Sequence, residues 1–438
     1  MILNSDIVGV IADDLTGAND TALQFHLQGA STQILLNSPE KLIKTKGTQV
    51  WAIATETRNV SAKEAFECVA KATQNLVETV NPDHVYKKID STIRGNIAVE
   101  TLAVLEVLGI EAAIICPAFP TEGRITVGGY HLLKGMPIER TEMARDPHSP
   151  ITDSHIPTLL KKQLDEEYQG LIGEIGLKTV VGGAAKILAE MKKLINEGKK
   201  LIVTDAVSVV DIEQVALAIN KSETKILPVG SAALALAMSD YWLSDTEREN
   251  TEKHFPSLPK FIVSGSATQI TAEQIENLDK CGDFDNVLII NLDLQTILKG
   301  VSEDFVERCV NNLRQNNIVV VNTSHLIINF DGFSEDSLEA DLTKSNLASV
   351  ITEFLAELTK RVTEKIQVIL ITLGGETSYK CCHAIGADQL QLLDEVAPAI
   401  PLCMDLNAQL IVTKSGNLGG ANTLIDIIRY FNNMDELG

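Results

Sequence analysis

Short runs of apolar, largely β-branched residues alternate with stretches of helical periodicity along the whole chain. The pattern predicts strands over 7–13, 33–36, 50–55, 84–90, 112–116, 201–205 and 225–229. It predicts others over 260–264, 286–291, 318–322, 367–372 and 409–413. Amphipathic segments fill the intervals. Ser61 with Glu64, and Thr271 with Gln274, have the spacing of capping boxes, in which side chains satisfy the first free amides of a helix. Strands separated by helices imply an α/β fold with largely parallel sheets flanked by helices.

One interruption stands out. Residues 244–259 (SDTERENTEKHFPSLP) are polar and charged, and two prolines close the stretch before the apolar run at Phe261. So long a structureless segment is uncommon inside a compact domain, so it reads as a linker. The expectation is two α/β domains, 1–245 and 260–438, joined by a linker at 246–259 and separated by a cleft. A chain of 438 residues is long enough for two full cores.

Charge narrows the function. There are 37 Lys+Arg against 59 Asp+Glu, a formal net charge of −22, which disfavours polyanionic nucleic acid or an anionic membrane as partner. A small anion in a local basic cleft stays compatible with that field. No apolar run approaches the roughly 20 residues of a membrane span, and the start lacks the basic region of a signal peptide. The seven cysteines are odd in number and without CxxC pairs, which fits free thiols in a reducing compartment. A cytoplasmic protein is expected. Cys381-Cys382-His383 is too compact for a tetrahedral metal site and is expected on a helix.

In open α/β sheets, ligands meet the carboxyl ends of strands. Asp13 and Asp14 end the first strand. Alternation of strand residues predicts separate roles for them, one facing the cleft and the other, or Thr16, capping the next helix. In residues 86–96 (YKKIDSTIRGN), a strand ending near Asp90 places Tyr86, Lys88 and Asp90 on one face. Arg94 and Gly95 then approach a helix over 97–108 whose N-terminus favours anions. Lysine, arginine and amides suit a carboxylate or phosphate, and Asp90 can accept from hydroxyls. Arg58, the turn-rich stretch 117–129 and Arg145 before Asp146-Pro147 are weaker candidates, each by itself better read as a loop stabiliser.

The second half carries three glycine-containing strand-to-helix turns, at 264–268 (SGSAT), 374–378 (GGETS) and 414–420 (KSGNLGG). Glycines let backbone amides close on phosphate oxygens. There is no GxxxxGK[ST], no opening GxGxxG, no HExxH and no GxSxG. On these features alone the chain suits phosphoryl transfer between a small polar anion and a nucleotide.

Residues 12–20 (ADDLTGAND), 88–96 (KIDSTIRGN), 117–129 (PAFPTEGRITVGG) and 144–147 (ARDP) resemble the four-carbon acid sugar kinases. So, in order, do 228–235 (PVGSAALA), SGS at 264–266, GGETS and KSGN. The resemblance spans nearly the whole chain, with Ile93 and Leu418 where the family usually has Phe. It implies an ATP-dependent kinase acting on the terminal hydroxyl of threonate, erythronate or 3-oxo-tetronate, with magnesium. By this resemblance Asp13 or Asp14, Arg58, Lys88, Asp90, Ser91 and Arg94 contact the acid sugar, with Gly95 and Arg145 beside them. Ser264, Gly374, Gly375, Glu376, Thr377 and Gly416 contact ATP. A carboxylate among Asp13, Asp14 and Asp90 is expected to orient or deprotonate the hydroxyl, while the magnesium ligands stay open. A homodimer is compatible with these features. The rival readings are a non-catalytic sensor of acid sugar and nucleotide, which would release no ADP, and a sugar-phosphate aldolase or isomerase, which would act without ATP.

Overall fold

The structure is a computed structural model that describes residues 6–37, 43–145, 149–243, 255–284, 286–315, 318–328 and 344–436. Most of the predicted linker, residues 246–254, lies outside the described residues, as do Asp146 and the side chain of Arg145. The chain divides into two compact units, Met1–Arg248 and Glu249–Gly438.

The sheet of the first unit contains β1 (Val8–Ala12), β2 (Thr32–Leu36), β3 (Val50–Ala54), β4 (His84–Lys88) and β5 (Ala112–Cys116). A short hairpin sheet follows, β6 (Arg124–Val127), β7 (Tyr130–Leu133) and β8 (Met136–Pro137). The main sheet is completed by β9 (Ile172–Ile175), β10 (Leu201–Thr204) and β11 (Ile226–Gly230). Its order is β2-β3-β1-β4-β11-β5-β10-β9, and every described pairing is parallel. β1, β2, β3 and β5 are buried at every position, which is why they read as unbroken apolar runs rather than alternating ones.

Three helices fix the site end of this sheet: α1 (Leu15–Leu27), α2 (Ala62–Thr79) and α3 (Ile97–Leu108). Val69, Ala72 and Leu76 of α2 and Val104 and Leu105 of α3 share one core with Ile11, Trp51 and Ile53. Because β3 and β4 flank β1, the chain runs to one side of β1 and then crosses to the other. The carboxyl ends of these three strands therefore border the kind of crevice in which doubly wound sheets bind ligands.

The second unit contains β12 (Lys260–Ser264), β13 (Val287–Asn291), β14 (Ile318–Asn322) and β15 (Ile369–Leu373). It ends with β16 (Gln389–Ala397), β17 (Ile400–Asp405) and β18 (Leu410–Lys414). β13-β14-β12-β15-β18 are parallel, and β17 and β16 continue the sheet antiparallel. Here β12 is the turning point, flanked by β14 and β15.

Several expectations need correction. The meander β16–β17 and the hairpin β6–β8 replace stretches without predicted strands, because polar residues and glycine turns obscure their alternation. Thr271 lies inside its helix, and Thr268 is the N-cap of Gln269–Lys280, accepting from the Thr271 amide. β4 ends at Lys88, so strand alternation does not extend to Asp90. Ser61 does cap α2, and Cys381, Cys382 and His383 lie on the helix Gly375–Ala384.

Candidate active site

In the first unit, the loops after β1, β3 and β4 gather the predicted residues. Arg58 links two of them: its Nε donates to Asp13 Oδ2 at 2.8 Å and its Nη1 lies 2.6 Å from Asp14 Oδ2. Asp14 is also the N-cap of α1, accepting from the Gly17 amide at 2.7 Å. Asp14 thus caps the helix while Asp13 keeps one oxygen uncommitted, the separation of roles that was expected, but both lie beyond the last residue of β1, so strand alternation is not what divides them. Burial pushes the Asp14 carboxyl up, outweighing Arg58, and Asp13 adds repulsion. Burial also acts upward on Asp13, but Arg58, Lys87 and Lys88 bring it below the ordinary value.

Lys88 is 4% exposed, and its ammonium has no ion pair or hydrogen bond among the described residues. A Cβ on Gly17 would stand 2.9 Å from Lys88 Nζ and 2.8 Å from Asp14 Oδ1, so only glycine lets α1 start this close to the cation. Asp13 Oδ1 is buried and likewise accepts no hydrogen bond. A buried ammonium and a buried carboxylate oxygen, both uncommitted, cost stability unless a ligand completes them.

Asp90 is placed differently. It accepts from the Thr92 hydroxyl, from Arg94 Nε at 2.6 Å and from the Arg94 amide at 3.3 Å. Against the upward push of burial, Arg94 and Arg58 hold its carboxyl well below the usual range. It thus organises the 90–94 turn, in which Ile93 adopts φ 58° and Gly95 φ 90°. The Ser91 side chain makes no hydrogen bond among the described residues. The helix end is less open than expected, since Gln163 Oε1 accepts from the Ala98 amide at 2.8 Å.

Sequence reasoning missed four residues that shape this site. Glu56, at φ 53°, accepts from the Leu15 amide at 2.7 Å, and burial, then repulsion from Asp14, raises its pKa to about 8. Asp20 is also pushed up, by burial, with Lys88 and Arg124 opposing. Asn96 donates to the carbonyls of Thr57 and Val60 at 2.9 and 3.0 Å, tying the Arg58 loop to the start of α3. His131 on β7 lies between the Thr126 hydroxyl at 3.0 Å and the Ser91 carbonyl at 2.9 Å. Burial lowers its pKa to about 4, so it is a neutral brace for Ser91. Glu56 lies two positions from Arg58 and was within reach of the sequence; His131 had no local signal.

In the second unit, the three glycine turns converge. A Cβ on Gly416 would lie 2.4 Å from Ser266 Oγ, and one on Gly265 2.3 Å from Thr377 Oγ1. Gly374 has φ 113°, which demands glycine, and its Cβ position lies 3.4 Å from the Ser266 amide nitrogen. The Gly416 carbonyl accepts from the Thr268 and Thr271 hydroxyls at 2.7 and 2.8 Å, locking the 416 turn to the helix Gln269–Lys280. Gly375 and Thr377 lie in the first turn of the helix Gly375–Ala384, and Glu376 there is exposed. Ser264 is set apart from them: it is fully buried at the end of β12, 3.3 Å from the Ser324 hydroxyl.

Residues 8–238 match the sugar-binding N-terminal domain family, and residues 261–424 match the nucleotide-binding C-terminal domain family. The D-threonate kinase of Salmonella typhimurium is 30% identical over 97% of this chain and 98% of its own. The chain belongs to the four-carbon acid sugar kinase family. The D-erythronate kinase of Heliobacterium modesticaldum is 28% identical over 97% of this chain and 96% of its own. The 3-oxo-tetronate kinase of Haemophilus influenzae is 26% identical over 94% of this chain and 97% of its own. A solved Salmonella typhimurium structure superposes with a TM-score of 0.78 at 24% identity, covering 97% of this chain and 99% of its own, which shows the same fold. Like its relatives, this family member is a phosphotransferase with an alcohol acceptor. No helix among the described residues is long and apolar enough to cross a membrane.

Proposed function

We propose that this kinase transfers the γ-phosphoryl group of ATP to the terminal (4-) hydroxyl of a four-carbon acid sugar of the threonate, erythronate or 3-oxo-tetronate class. The observation that carries the reading is the pair of uncommitted buried groups in the first unit, the Lys88 ammonium and Asp13 Oδ1. An anion bearing hydroxyls completes both at once. The D-threonate, D-erythronate and 3-oxo-tetronate kinases among its relatives support that substrate class.

The residues then take distinct parts. Lys88, with Arg94 and the free Ser91 hydroxyl, binds the carboxylate or offsets charge on the moving phosphoryl group. Asp13 Oδ1 accepts the hydrogen bond of the attacking hydroxyl, and Arg58 fixes that carboxylate through its other oxygen. As the new O–P bond forms and the bond to the ADP leaving group breaks, the hydroxyl proton passes to the Asp13 carboxylate. A strong base is unnecessary, because charge stabilisation and positioning dominate such transfers. Asp14 has both oxygens engaged, by Gly17 and Arg58, and serves as the brace.

ATP fits the glycine turns of the second unit, where Gly375, Thr377 and Gly416 leave amides open to phosphate oxygens and Gly374, its own amide held by the Lys414 carbonyl, shapes the turn. Magnesium supplies neutralisation of those oxygens. The described residues contain no group of three or more metal-ligating side chains, and Glu376, exposed beside the glycine turns, is the carboxylate that would help hold the ion.

The test is steady-state ADP release with the best tetronate for Lys88→Ala and Asp13→Asn. Both should lose about a hundredfold or more in kcat/KM for the acid sugar, with the KM for ATP little changed. Wild-type kcat/KM in both variants would reject the site. A protein that binds both ligands yet releases no ADP would favour the sensor.

A further inference from the structure

Among the residues of the three glycine turns of the second unit, which offer amides to a triphosphate, Lys414 at the head of the third is the one lysine or arginine. It is the last residue of β18 and is fully buried. Its Nζ donates to the Ser415 carbonyl at 2.9 Å, one residue beyond the strand, so the ammonium stands at the level of the turns. It makes no ion pair with a carboxylate among the described residues, and that single hydrogen bond occupies one of its three donors. The Lys414 carbonyl in turn accepts from the Gly374 amide at 2.8 Å, joining the lysine's own backbone to the second glycine turn. Leu410 and Val412, which precede it on the same face of β18, are core residues packed with Leu373 and Leu424. An ammonium at the end of an apolar stripe, with no counter-ion among the described residues, carries a desolvation penalty that aliphatic packing would avoid. Burial alone lowers its pKa to about 8, as expected for a cation lacking a partner.

We propose that Lys414 is the phosphate-binding cation of the nucleotide site, its free N–H groups directed to the oxygens of the ATP polyphosphate. The inference rests on the reading of this unit as the ATP-binding one. It assigns the discrimination between nucleoside and nucleotide to one side chain, with the amides of Gly375 and Gly416 as its neutral partners. Lys88 is its counterpart in the first unit, another strand-end lysine without a carboxylate pair.

The experiment is titration calorimetry of the full-length protein with magnesium-ATP and with adenosine, for wild type, Lys414→Met and Lys414→Gln. Methionine matches the length of the lysine stem and suits the apolar surroundings; glutamine keeps a hydrogen-bonding end without charge. Both variants should bind ATP about 10- to 100-fold more weakly, with adenosine affinity unchanged and thermal midpoints equal to or above wild type. An ATP-to-adenosine affinity ratio equal to wild type in a folded variant would overturn the assignment. So would equal weakening of both ligands, which marks a structural role. Wild-type protein that binds no ATP would instead refute the nucleotide reading, and the assignment with it. If the methionine variant fails to fold, the glutamine variant decides.

Discussion

Beneath the loops after β1, β3 and β4 lies an ion pair with no access to water. Lys87 on β4 and Glu100 on α3 are 0% and 1% exposed, and Lys87 Nζ lies 2.7 Å from Glu100 Oε2. Lys87 also donates to the Lys88 carbonyl at 2.8 Å, anchoring the strand end that presents Lys88, the lysine proposed to bind substrate. At an effective dielectric near 20, two charges at that separation attract by about 6 kcal/mol. Removing each ion from water costs several kcal/mol, so the pair is worth little net to stability. Truncating one partner is another matter, since it strands the other charge. Lys87→Met should lower unfolding free energy by about 3–5 kcal/mol, while Lys87→Met with Glu100→Leu should return to within about 1 kcal/mol of wild type. The assay is urea unfolding followed by tryptophan fluorescence. The two tryptophans, Trp51 and Trp242, are both buried in the first unit, so the signal reports that unit. In the double variant stability recovers but the Lys88 carbonyl loses its anchor, so kcat/KM for the acid sugar should stay depressed. A single variant within about 1 kcal/mol of wild type, or a double variant equal to the sum of the singles, would refute the reasoning.

Three further outcomes are expected. His131 binds a proton at about 4 in the folded state against an ordinary 6.5. Its contribution is fully present above pH 6.5 and lost as pH falls toward 4, up to about 3 kcal/mol. Urea midpoints of His131→Gln should therefore fall less steeply than wild type between those limits, and parallel slopes would contradict this. Glu56 has the opposite sign: its folded pKa of about 8 exceeds the ordinary 4.5, so its contribution is lost as pH rises through 8. Glu56→Gln should hold its thermal midpoint better than wild type from pH 6 to 9, and an equal decline in both would count against the shift. Gly416→Ala places a methyl 2.4 Å from Ser266 Oγ, so the KM for ATP should rise about tenfold or more while that for the acid sugar stays fixed; unchanged ATP kinetics would show that the turns do not hold the nucleotide.

Legibility in the sequence followed burial and locality. Strands such as β1, β5 and β12 are buried throughout and are apolar in consecutive positions, so pattern alone finds them. β16 carries Gln391, Asp394 and Glu395 and is interrupted by register shifts, so its period is hidden. Lys88 and the glycine turns were visible because charge or glycine at a strand end is unusual there, whereas Arg58 by itself read as a loop stabiliser and entered through the resemblance. The braces were not. Asn96 reaches across 39 and 36 residues, His131 across 40, and Lys87 pairs with a glutamate one helix away. Such partnerships exist only once the sheet has brought distant loops together. The separate roles of Asp13 and Asp14 were expected from alternation, but both lie past the end of the strand, and it is the helix cap at Asp14 that divides them.

The central claim is transfer from ATP to the terminal hydroxyl of a tetronate. Threonate, erythronate and 3-oxo-tetronate, each stereoisomer alone, should be incubated with magnesium-ATP, and the products read by proton-coupled phosphorus NMR. The account predicts ADP formation only with acid sugar present, and a phosphoester coupled to the two protons of carbon 4. ATP turnover without any acid sugar, or a phosphoester at carbon 2 or 3, would contradict it.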